Sequence, residues 1–314
     1  MDVLVIGCSS FARRRVLPAL ATLDGVDAVH VASRSTAGLA DVPRRGRWFA
    51  DYQQAIDATP PGLVYVSLTN DAHARWVEAA LERGHHVVVD KPAFTELAAA
   101  ERLVALACDR GRVLAEATTY AFHPLWAQVQ AIFAEHGSAP SHVTVAFTPP
   151  LPPDNYRFRR ALGGGALLDA GPYFASIGRL VWGAAPEWLS ACIDSVGAEV
   201  ETSFSVLARY GAGRALVGHF GFTAEYRNWI GLLGPGLDVE VPGGFSTPPD
   251  RVTEIKVRHR DAISTRQAPA APAMRLFLEA VLGAIAREDW TTLGQTLLDD
   301  ARVLDRLLRE VRAL

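Results

Sequence analysis

The sequence predicts an α/β domain followed by an α+β domain, because the pattern of its apolar segments changes along the chain. Up to about Thr118, short apolar strands alternate with helical segments, which is typical of a parallel sheet covered on both faces. After Tyr120, a helix and a proline-containing loop lead into alternating apolar and polar segments, which predict a large, open, mostly antiparallel sheet. We therefore expect one domain at residues 1–118 and a second at residues 119–314.

The individual elements follow from these patterns. In the first domain the predicted strands are 3–6, 28–32, 63–67, 86–89 and 112–115, and the predicted helices are 12–23, 72–83 and 96–110. In the second domain a helix at 122–135 precedes strands at 142–147, 188–193, 202–209, 214–220 and 229–233. Residues 274–314 are predicted to be helical with a break at 289–291, where Asp289 or Thr291 caps the next helix.

Composition excludes several classes of function. The chain has 314 residues, 49% of them hydrophobic, and its net charge of -3 comes from 31 basic and 34 acidic residues without long runs of either sign. Nucleic acid and anionic membranes are therefore not expected partners. A start without a basic leader and the lack of a long apolar stretch predict a cytoplasmic protein. The three cysteines have neither disulfide nor metal spacing, so we expect no metal.

The first predicted strand runs into a turn of small residues. Gly7, Ser9 and Ala12 occupy the three positions where a dinucleotide-binding turn needs a sharp bend, a close approach to phosphate and helix packing. Cys8, Ser10 and Phe11 complete the turn. The pattern predicts a Rossmann domain that binds a dinucleotide, although a strand-to-helix turn without a ligand has a similar sequence.

Two further strand ends bear on the cofactor. Ser33 and Arg34 stand where an NAD-specific protein usually has a carboxylate, and Arg presents a planar fork to a phosphate, so NADPH is predicted in preference to NADH. The alternative is a solvated loop arginine. After the strand at 63–67, the residues predicted to line the cofactor are Ser67, Leu68, Thr69 and His73, while Asn70 or Asp71 fits a helix N-cap equally well.

Three motifs in order along the chain carry a family resemblance. They are Gly7-Cys8-Ser9-Ser10-Phe11-Ala12 with Leu17-Pro18-Ala19-Leu20, then Asp90-Lys91-Pro92, then Gly163-Gly164-Gly165-Ala166-Leu167-Leu168-Asp169-Ala170-Gly171-Pro172-Tyr173. The chain resembles the glucose-fructose oxidoreductase and inositol dehydrogenase (Gfo/Idh/MocA) family over nearly its whole length. That resemblance implies a nicotinamide-dependent oxidoreductase and a homo-oligomer, a dimer or a tetramer.

A narrower resemblance concerns the substrate. The Gly-Cys turn, Phe147-Thr148-Pro149-Pro150 and Phe245-Ser246-Thr247-Pro248-Pro249 are similar to the NDP-hexose 3-ketoreductases of deoxysugar and antibiotic biosynthesis. This implies NADPH-dependent reduction of a keto group on a nucleotide-linked sugar, with dTDP as the expected nucleotide. The alternatives are a family member acting on a free sugar, an inositol or a non-sugar carbonyl, and a cofactor-binding sensor without turnover.

The family motifs also indicate which residues carry the chemistry. Reduction of a ketone by hydride leaves alkoxide character on oxygen, which needs a proton donor and a nearby cation. The resemblance assigns these tasks to Tyr173 and Lys91. Asp90 and Pro92 flank that lysine in the cofactor site, and the Lys91-Pro92 bond can be cis in the family. Asp169, one helical turn before Tyr173, either binds a sugar hydroxyl, orients the phenol or is a helix N-terminal carboxylate.

Other polar residues leave their roles open. Tyr156, Arg157, Arg159 and Arg160 follow the proline loop, and an arginine fork suits a diphosphate, although surface solvation explains each of them as well. His123 is either a site residue or a structural residue at a helix start. Tyr226 and Arg227 belong either to an interface or to the substrate pocket.

Overall fold

The structure is a computed structural model that describes residues 1–35, 42 and 45–312. The chain forms two compact units. The first contains Met1–Thr119 together with Met274–Ala301, and the second contains Tyr120–Ala273 together with Arg302–Leu314. The sequence prediction divided the chain at residue 118 and did not anticipate that Met274–Ala301 joins the first unit.

The first unit is built on a six-stranded parallel sheet with the order β3-β2-β1-β4-β5-β6. The strands are β1 (Val3–Ile6), β2 (Val29–Ala32), β3 (Arg45–Phe49), β4 (Leu63–Val66), β5 (His86–Val89) and β6 (Leu114–Glu116). The strand order reverses at β1, which pairs with both β2 and β4. A crevice for a ligand is expected outside the carboxyl ends of the strands at such a switch point.

Helices follow the strands of this sheet. They are α1 (Leu17–Ala21), α2 (Tyr52–Ala58), α3 (His73–Glu82) and α4 (Leu97–Asp109). The predicted helix at 12–23 was wrong in type at its start, because Ala12–Val16 forms a π-helical turn that continues into α1 at Leu17. Strand β3 and helix α2 were not predicted. An N-cap signal for α2 was present, since the Asp51 carboxylate accepts a hydrogen bond from the Gln54 amide at 2.7 Å.

The second unit contains an eight-stranded sheet with the order β14-β13-β12-β11-β7-β10-β9-β8. Its strands are β7 (His142–Phe147), β8 (Trp188–Val196), β9 (Glu201–Tyr210), β10 (Arg214–Gly221), β11 (Asn228–Gly234), β12 (Leu237–Pro242), β13 (Thr253–His259) and β14 (Ala262–Ala268). All neighbours are antiparallel except β7 and β10, which are parallel. The prediction of a mostly antiparallel sheet is confirmed, but β12 to β14 were missed.

Two helices of the second unit position its functional residues. They are α5 (Leu125–Glu135) and α6 (Ala166–Trp182), and α6 packs on β9 and β10. The buried face of the sheet and the apolar face of α6 form one core that includes Phe174, Phe204 and Phe220. The sheet therefore supports α6 along its length.

The C-terminal segment forms α7 (Ala273–Ala286) and α8 (Thr292–Arg312). The predicted break between two helices is confirmed. Asp289 supplies the cap, because its Oδ1 accepts hydrogen bonds from the amides of Thr291 and Thr292 at 3.2 and 3.0 Å. The backbone and side-chain hydrogen bonds of Thr292, followed by those of Thr291, lower the pKa of the Asp289 carboxyl to about 2.

Candidate active site

The turn after β1 requires glycine at position 7. Gly7 has a φ of +89°, and a Cβ at this position would lie 2.1 Å from the carbonyl oxygen of Ser67 and 2.7 Å from Leu68 Cδ2. The turn is therefore pressed against the end of β4, which brings Ser67 and Leu68 to the same edge of the sheet. Without a side chain at position 7, the backbone of the turn leaves room for a phosphate group. This arrangement fits a dinucleotide-binding turn.

Ser9, Ser67 and Asp90 are joined by short hydrogen bonds. The two serine hydroxyls are 2.8 Å apart, and the Ser67 hydroxyl donates to Asp90 Oδ2 at 2.6 Å. Tyr65, buried within β4, donates to the other carboxylate oxygen of Asp90 at 2.6 Å. The structure thus connects three residues that the sequence assigned separately to the cofactor site.

The loop that carries Lys91 is held by a second carboxylate. The Lys91-Pro92 bond is cis, as the family resemblance suggested. Glu116 Oε2 accepts a hydrogen bond from the Ala93 amide at 2.8 Å, and Glu116 Oε1 accepts one from the Thr118 hydroxyl at 2.6 Å. The end of β6 therefore fixes the backbone two residues beyond Lys91.

The charge of Lys91 acts on both carboxyl groups. Burial raises the pKa of Asp90, and the hydrogen bonds from Ser67 and Tyr65 and the charges of His73 and Lys91 oppose that rise. Burial also raises the pKa of Glu116, which the Lys91 charge opposes and the Asp300 charge reinforces. Lys91 is thus close enough to both carboxyl groups for its charge to favour their ionised forms.

His73 supports this loop from α3. Its ring is completely buried, with Nδ1 2.9 Å from the carbonyl oxygen of Pro92 and Nε2 3.2 Å from that of Leu68. Both ring nitrogens are therefore occupied by backbone. The N-cap position before α3 has no side-chain hydrogen bond, so the N-cap interpretation of Asn70 or Asp71 lacks support.

The remaining predicted cofactor residues lie around the same edge. Ser10 and Phe11 are exposed, Ala12 is buried, and the Ala12 amide donates to Ser9 Oγ at 2.9 Å. Cys8 is half-buried, and its burial raises the pKa of the thiol against the effect of Arg13. Thr69 is half-buried beside Leu68, Ser33 is buried at the end of β2 and Arg34 is exposed.

In the second unit, Tyr173 lies among aromatic rings. Its ring centroid is 4.7 Å from that of Phe147, 4.9 Å from that of Phe245 and 5.8 Å from that of Tyr120. The Tyr120 hydroxyl is in turn hydrogen-bonded to Ser176 on α6 at 2.7 Å. Packed aromatic rings restrict the Tyr173 side chain to a narrow range of orientations.

Asp169 is paired with Arg157 one turn before Tyr173. Arg157 Nε lies 2.6 Å from Asp169 Oδ1, and Asp169 is buried. Burial alone would lower the pKa of Arg157. The charge of Asp169, together with Tyr156 and Tyr173, outweighs that effect, so the pKa of Arg157 is raised. The guanidinium is therefore close enough to Tyr173 for the two groups to interact electrostatically.

The glycines before α6 allow tight packing at its first turn. Gly165 has a φ of +115°, and a Cβ on it would lie 2.3 Å from Glu201 Oε1, which accepts a hydrogen bond from the Leu167 amide at 3.1 Å. A Cβ on Gly164 would lie 2.5 Å from the Arg157 carbonyl oxygen. These glycines thus place Arg157 and the start of α6 side by side.

The structure gives the surroundings of the arginines and the histidine whose roles the sequence left open. Arg157 is paired with Asp169, and Arg160 contacts the backbone carbonyl of Glu199, so these two guanidinium groups already have acidic or carbonyl partners. Arg159 is exposed. His123 is buried at the start of α5, where its Nδ1 accepts a hydrogen bond from the Leu125 amide at 3.1 Å and burial lowers its pKa. The Nε2 atom of the same ring is also buried and has no hydrogen-bond partner among the described residues.

Sequence reasoning missed Tyr65, Glu116 and the partnership of Arg157 with Asp169. Tyr65 lies inside an apolar strand, which is the pattern of a core residue. Glu116 offered a weak signal, because a carboxylate ends an otherwise buried strand.

Within the described residues, no group of three His, Cys, Asp or Glu side chains is arranged to hold a metal ion. In the same part of the chain, no helix combines the length and apolar character needed to span a membrane.

Comparison with known proteins identifies the family. Residues 1–118 match the oxidoreductase family with an NAD-binding Rossmann fold, and residues 134–243 match the GFO/IDH/MocA C-terminal domain. The chain belongs to the Gfo/Idh/MocA family of oxidoreductases. The family and the Rossmann domain predicted from the sequence are confirmed.

Several relatives of this chain are dTDP-sugar 3-reductases. A dTDP-3,4-didehydro-2,6-dideoxy-alpha-D-glucose 3-reductase from Saccharopolyspora spinosa is 31% identical over 276 residues, which are 86% of this chain and 83% of the relative. The enzyme of that name from Actinomadura kijaniata is 30% identical over 95% of this chain and 93% of its own. A crystal structure of a 3-ketoreductase from Actinomadura kijaniata with NADP and TDP-benzene has a TM-score of 0.90 at 27% identity, covering 100% of this chain and 97% of its own.

Proposed function

We propose that this oxidoreductase uses NADPH to reduce a keto group on a dTDP-linked deoxysugar. The main support is the pair of local arrangements at the family motifs: Lys91 on a loop fixed by Asp90 and Glu116, and Tyr173 one turn after the Asp169–Arg157 pair. The named relatives add support for the substrate class, because they are dTDP-sugar 3-reductases and this chain matches them over most of their length.

The residues of the first unit fit a dinucleotide. Gly7 lacks the side chain that would fill the space beside Ser67, and the residues around it that would hold the cofactor are Cys8, Ser9, Ser10, Phe11, Ala12, Ser67, Leu68, Thr69, Asp90, Lys91 and Pro92. His73 supports that set through the carbonyls of Leu68 and Pro92. Ser33 and Arg34 would receive the phosphate that distinguishes NADPH, which agrees with the NADP bound to the Actinomadura kijaniata structure.

The chemistry of the chain then divides between two groups. The bound dihydronicotinamide supplies the hydride. Tyr173 donates its phenolic proton to the oxygen that gains negative charge, and the Lys91 ammonium stabilises that charge. Arg157 stabilises the tyrosinate left behind, and Asp169 holds Arg157 in place. Oxidation of the alcohol runs the same steps backwards, with Tyr173 as the base.

The test is NADPH consumption by the purified protein with a panel of carbonyl compounds. The panel contains dTDP-linked keto sugars generated in situ, free keto sugars, oxidised inositols and non-sugar carbonyls. Turnover confined to a nucleotide-linked ketone supports the proposal and identifies the keto position. Turnover confined to the other compounds assigns the chain to a different branch of the family, and NADPH binding without turnover on any compound favours a sensor.

A further inference from the structure

A one-way chain of hydrogen bonds runs from the glycine turn to Asp90. The Ser67 hydroxyl proton is committed to Asp90, so the proton between the two serines must come from Ser9. Ser9 Oγ in turn accepts from the Ala12 amide at 2.9 Å. The order of donation is therefore Ala12 amide, Ser9, Ser67 and Asp90. Each hydroxyl in this chain donates once and accepts once, which strengthens the bond to the carboxylate at its end.

The second carboxylate oxygen has its own donor. Tyr65 lies in the centre of the sheet, fully buried, and its hydroxyl reaches Asp90 Oδ1 at 2.6 Å. The charged and titratable groups facing Asp90 are Tyr65 on β4, His73 on α3 and Lys91 on its own loop. A buried hydroxyl within an otherwise apolar strand has a cost unless it is bonded, so the position of Tyr65 serves the carboxylate.

We infer that Tyr65, Ser67 and Ser9 are positioning residues that keep Asp90 ionised and oriented, so that Asp90 fixes the Lys91 ammonium. The inference rests on the proposed function, in which Lys91 stabilises the reacting oxygen. It also couples the glycine turn to the lysine loop, because Ser9 belongs to the turn and Asp90 precedes Lys91.

The inference predicts a shift in pH dependence. The hydrogen bonds from Ser67 and Tyr65 lower the pKa of Asp90, opposing the effect of burial. Loss of either donor raises that pKa, so Asp90 takes up a proton at higher pH and the acid limb of the kcat profile moves upwards. We expect a shift of about one pH unit for Tyr65→Phe and for Ser67→Ala, and a smaller one for Ser9→Ala, whose effect is indirect.

The experiment combines a kinetic and a substrate-free readout on the full chain. The kcat of NADPH-dependent reduction is measured against pH for wild type, Tyr65→Phe, Ser67→Ala and Ser67→Thr, which retains a hydroxyl. In parallel, carbon-13 NMR follows the carboxyl titration of labelled aspartate in the absence of cofactor, with the Asp90 signal assigned by its loss in Asp90→Asn. Tyr210→Phe, at a buried tyrosine on β9 of the other unit, controls for loss of a buried phenol hydroxyl.

The expected result is a parallel upward shift of the Asp90 carboxyl titration and of the acid limb in Tyr65→Phe and Ser67→Ala. Ser67→Thr and Tyr210→Phe keep the wild-type pH dependence. If both donor variants lose only thermal stability and neither titration moves, the chain is merely structural and the inference is overturned. A shifted carboxyl titration with an unmoved acid limb overturns the link to Lys91. A shifted titration in a protein that reduces no keto sugar supports the role of the donors at Asp90 and rejects the proposed function instead.

Discussion

Arg157 holds Asp169 through a contact of 2.6 Å between Nε and Oδ1, in a position where the guanidinium also acts on Tyr173. The pair is asymmetric: the side chain of Asp169 is 8% exposed and that of Arg157 is 26% exposed. Removal of the arginine leaves the more buried charge without its partner, which is the more costly loss.

Arg157→Gln is therefore expected to lower turnover and to change its pH dependence. The phenol of Tyr173 loses a nearby cation that favours its anion, so the alkaline limb of the reduction rate moves to higher pH. We expect about a tenfold loss in kcat, in line with one charged hydrogen bond. Arg159→Gln, two residues along at an exposed arginine, is the matched control. Unchanged pH profiles for both variants would show that Arg157 does not act on Tyr173.

Tyr173→Phe tests the proton donor directly. Phenylalanine keeps the ring contacts with Phe147, Phe245 and Tyr120, so the fold is expected to remain intact. Loss of the donor should reduce kcat by roughly 10²- to 10⁴-fold, with a much smaller change in KM. Tyr52→Phe, at a half-buried tyrosine on α2, is the control. Wild-type turnover in Tyr173→Phe together with inactivity of Lys91→Ala would assign the proton to another group.

Arg34→Ala tests the choice of cofactor. If Arg34 receives the additional phosphate, kcat/KM for NADPH should fall by about 10- to 100-fold while the value for NADH stays constant. Ser33→Ala should have a smaller effect, because a hydroxyl donates a single uncharged hydrogen bond to a phosphate, whereas the Arg34 guanidinium is charged. Arg110→Ala, remote in sequence and exposed, provides the control. An equal loss with both cofactors would reject the phosphate assignment.

Gly7 and Gly25 form a natural pair for separating backbone strain from close approach. Both have positive φ, +89° and +80°, but a Cβ on Gly7 would lie 2.1 Å from the Ser67 carbonyl oxygen, whereas a Cβ on Gly25 would have nothing within 4 Å. Gly25→Ala should cost about 1 kcal/mol, the strain term alone. Gly7→Ala should cost more in thermal unfolding and abolish NADPH binding in a fluorescence titration. Equal effects of the two substitutions would contradict the close approach at the turn.

The sequence was sufficient for five of the six parallel strands of the first unit, because each of those five is a short apolar run bounded by turn residues. It failed for β3, whose Arg45-Gly46-Arg47-Trp48-Phe49 sequence lacks such a run and pairs on one side only. It also failed for β14, which is exposed along nearly its whole length, so burial imposes no apolar pattern on it. Strands β12 and β13 alternate buried and exposed residues and were within reach of pattern reasoning.

In the candidate site, too, the sequence indicates only those residues that stand in a local motif. Gly7, Lys91 and Tyr173 stand in contiguous motifs, and the sequence could indicate them. Tyr65 and Glu116 matter through partners 25 and 23 residues away, Asp90 and the Ala93 amide. A single sequence carries no mark of such pairings, because they depend on which strands become neighbours in the sheet.

A further prediction concerns acid stability, and it depends on His86 at the start of β5. His86 is buried and stacked on Trp290, with ring centroids 5.5 Å apart, and its Nδ1 accepts a hydrogen bond from the Val113 amide at 3.1 Å. Burial lowers its pKa to about 4, with the charges of Arg112 and His85 acting in the same direction. A protonated ring would turn Nδ1 into a donor facing another donor, so the fold requires neutral imidazole.

The sign of the effect follows from linkage. Because the folded protein has the lower pKa, the contribution of His86 is complete above the ordinary value of 6.5 and is lost as the pH falls towards 4. The loss should reach roughly 2 kcal/mol by pH 5. Burial lowers the pKa of the adjacent His85 as well, which adds a change of the same sign. Thermal unfolding of the full chain between pH 7 and pH 5 measures the combined decline.

His86→Asn separates the contribution of this residue from the rest. Asparagine Oδ1 can replace Nδ1 as the acceptor for Val113 but does not titrate, so this variant should be less stable at pH 7 and should lose less stability than wild type on acidification. His142→Asn, at an exposed histidine on β7, should retain the wild-type decline. If His86→Asn and wild type lose stability in parallel, His86 is not the titrating group, and His85, whose pKa burial also lowers, becomes the next to test.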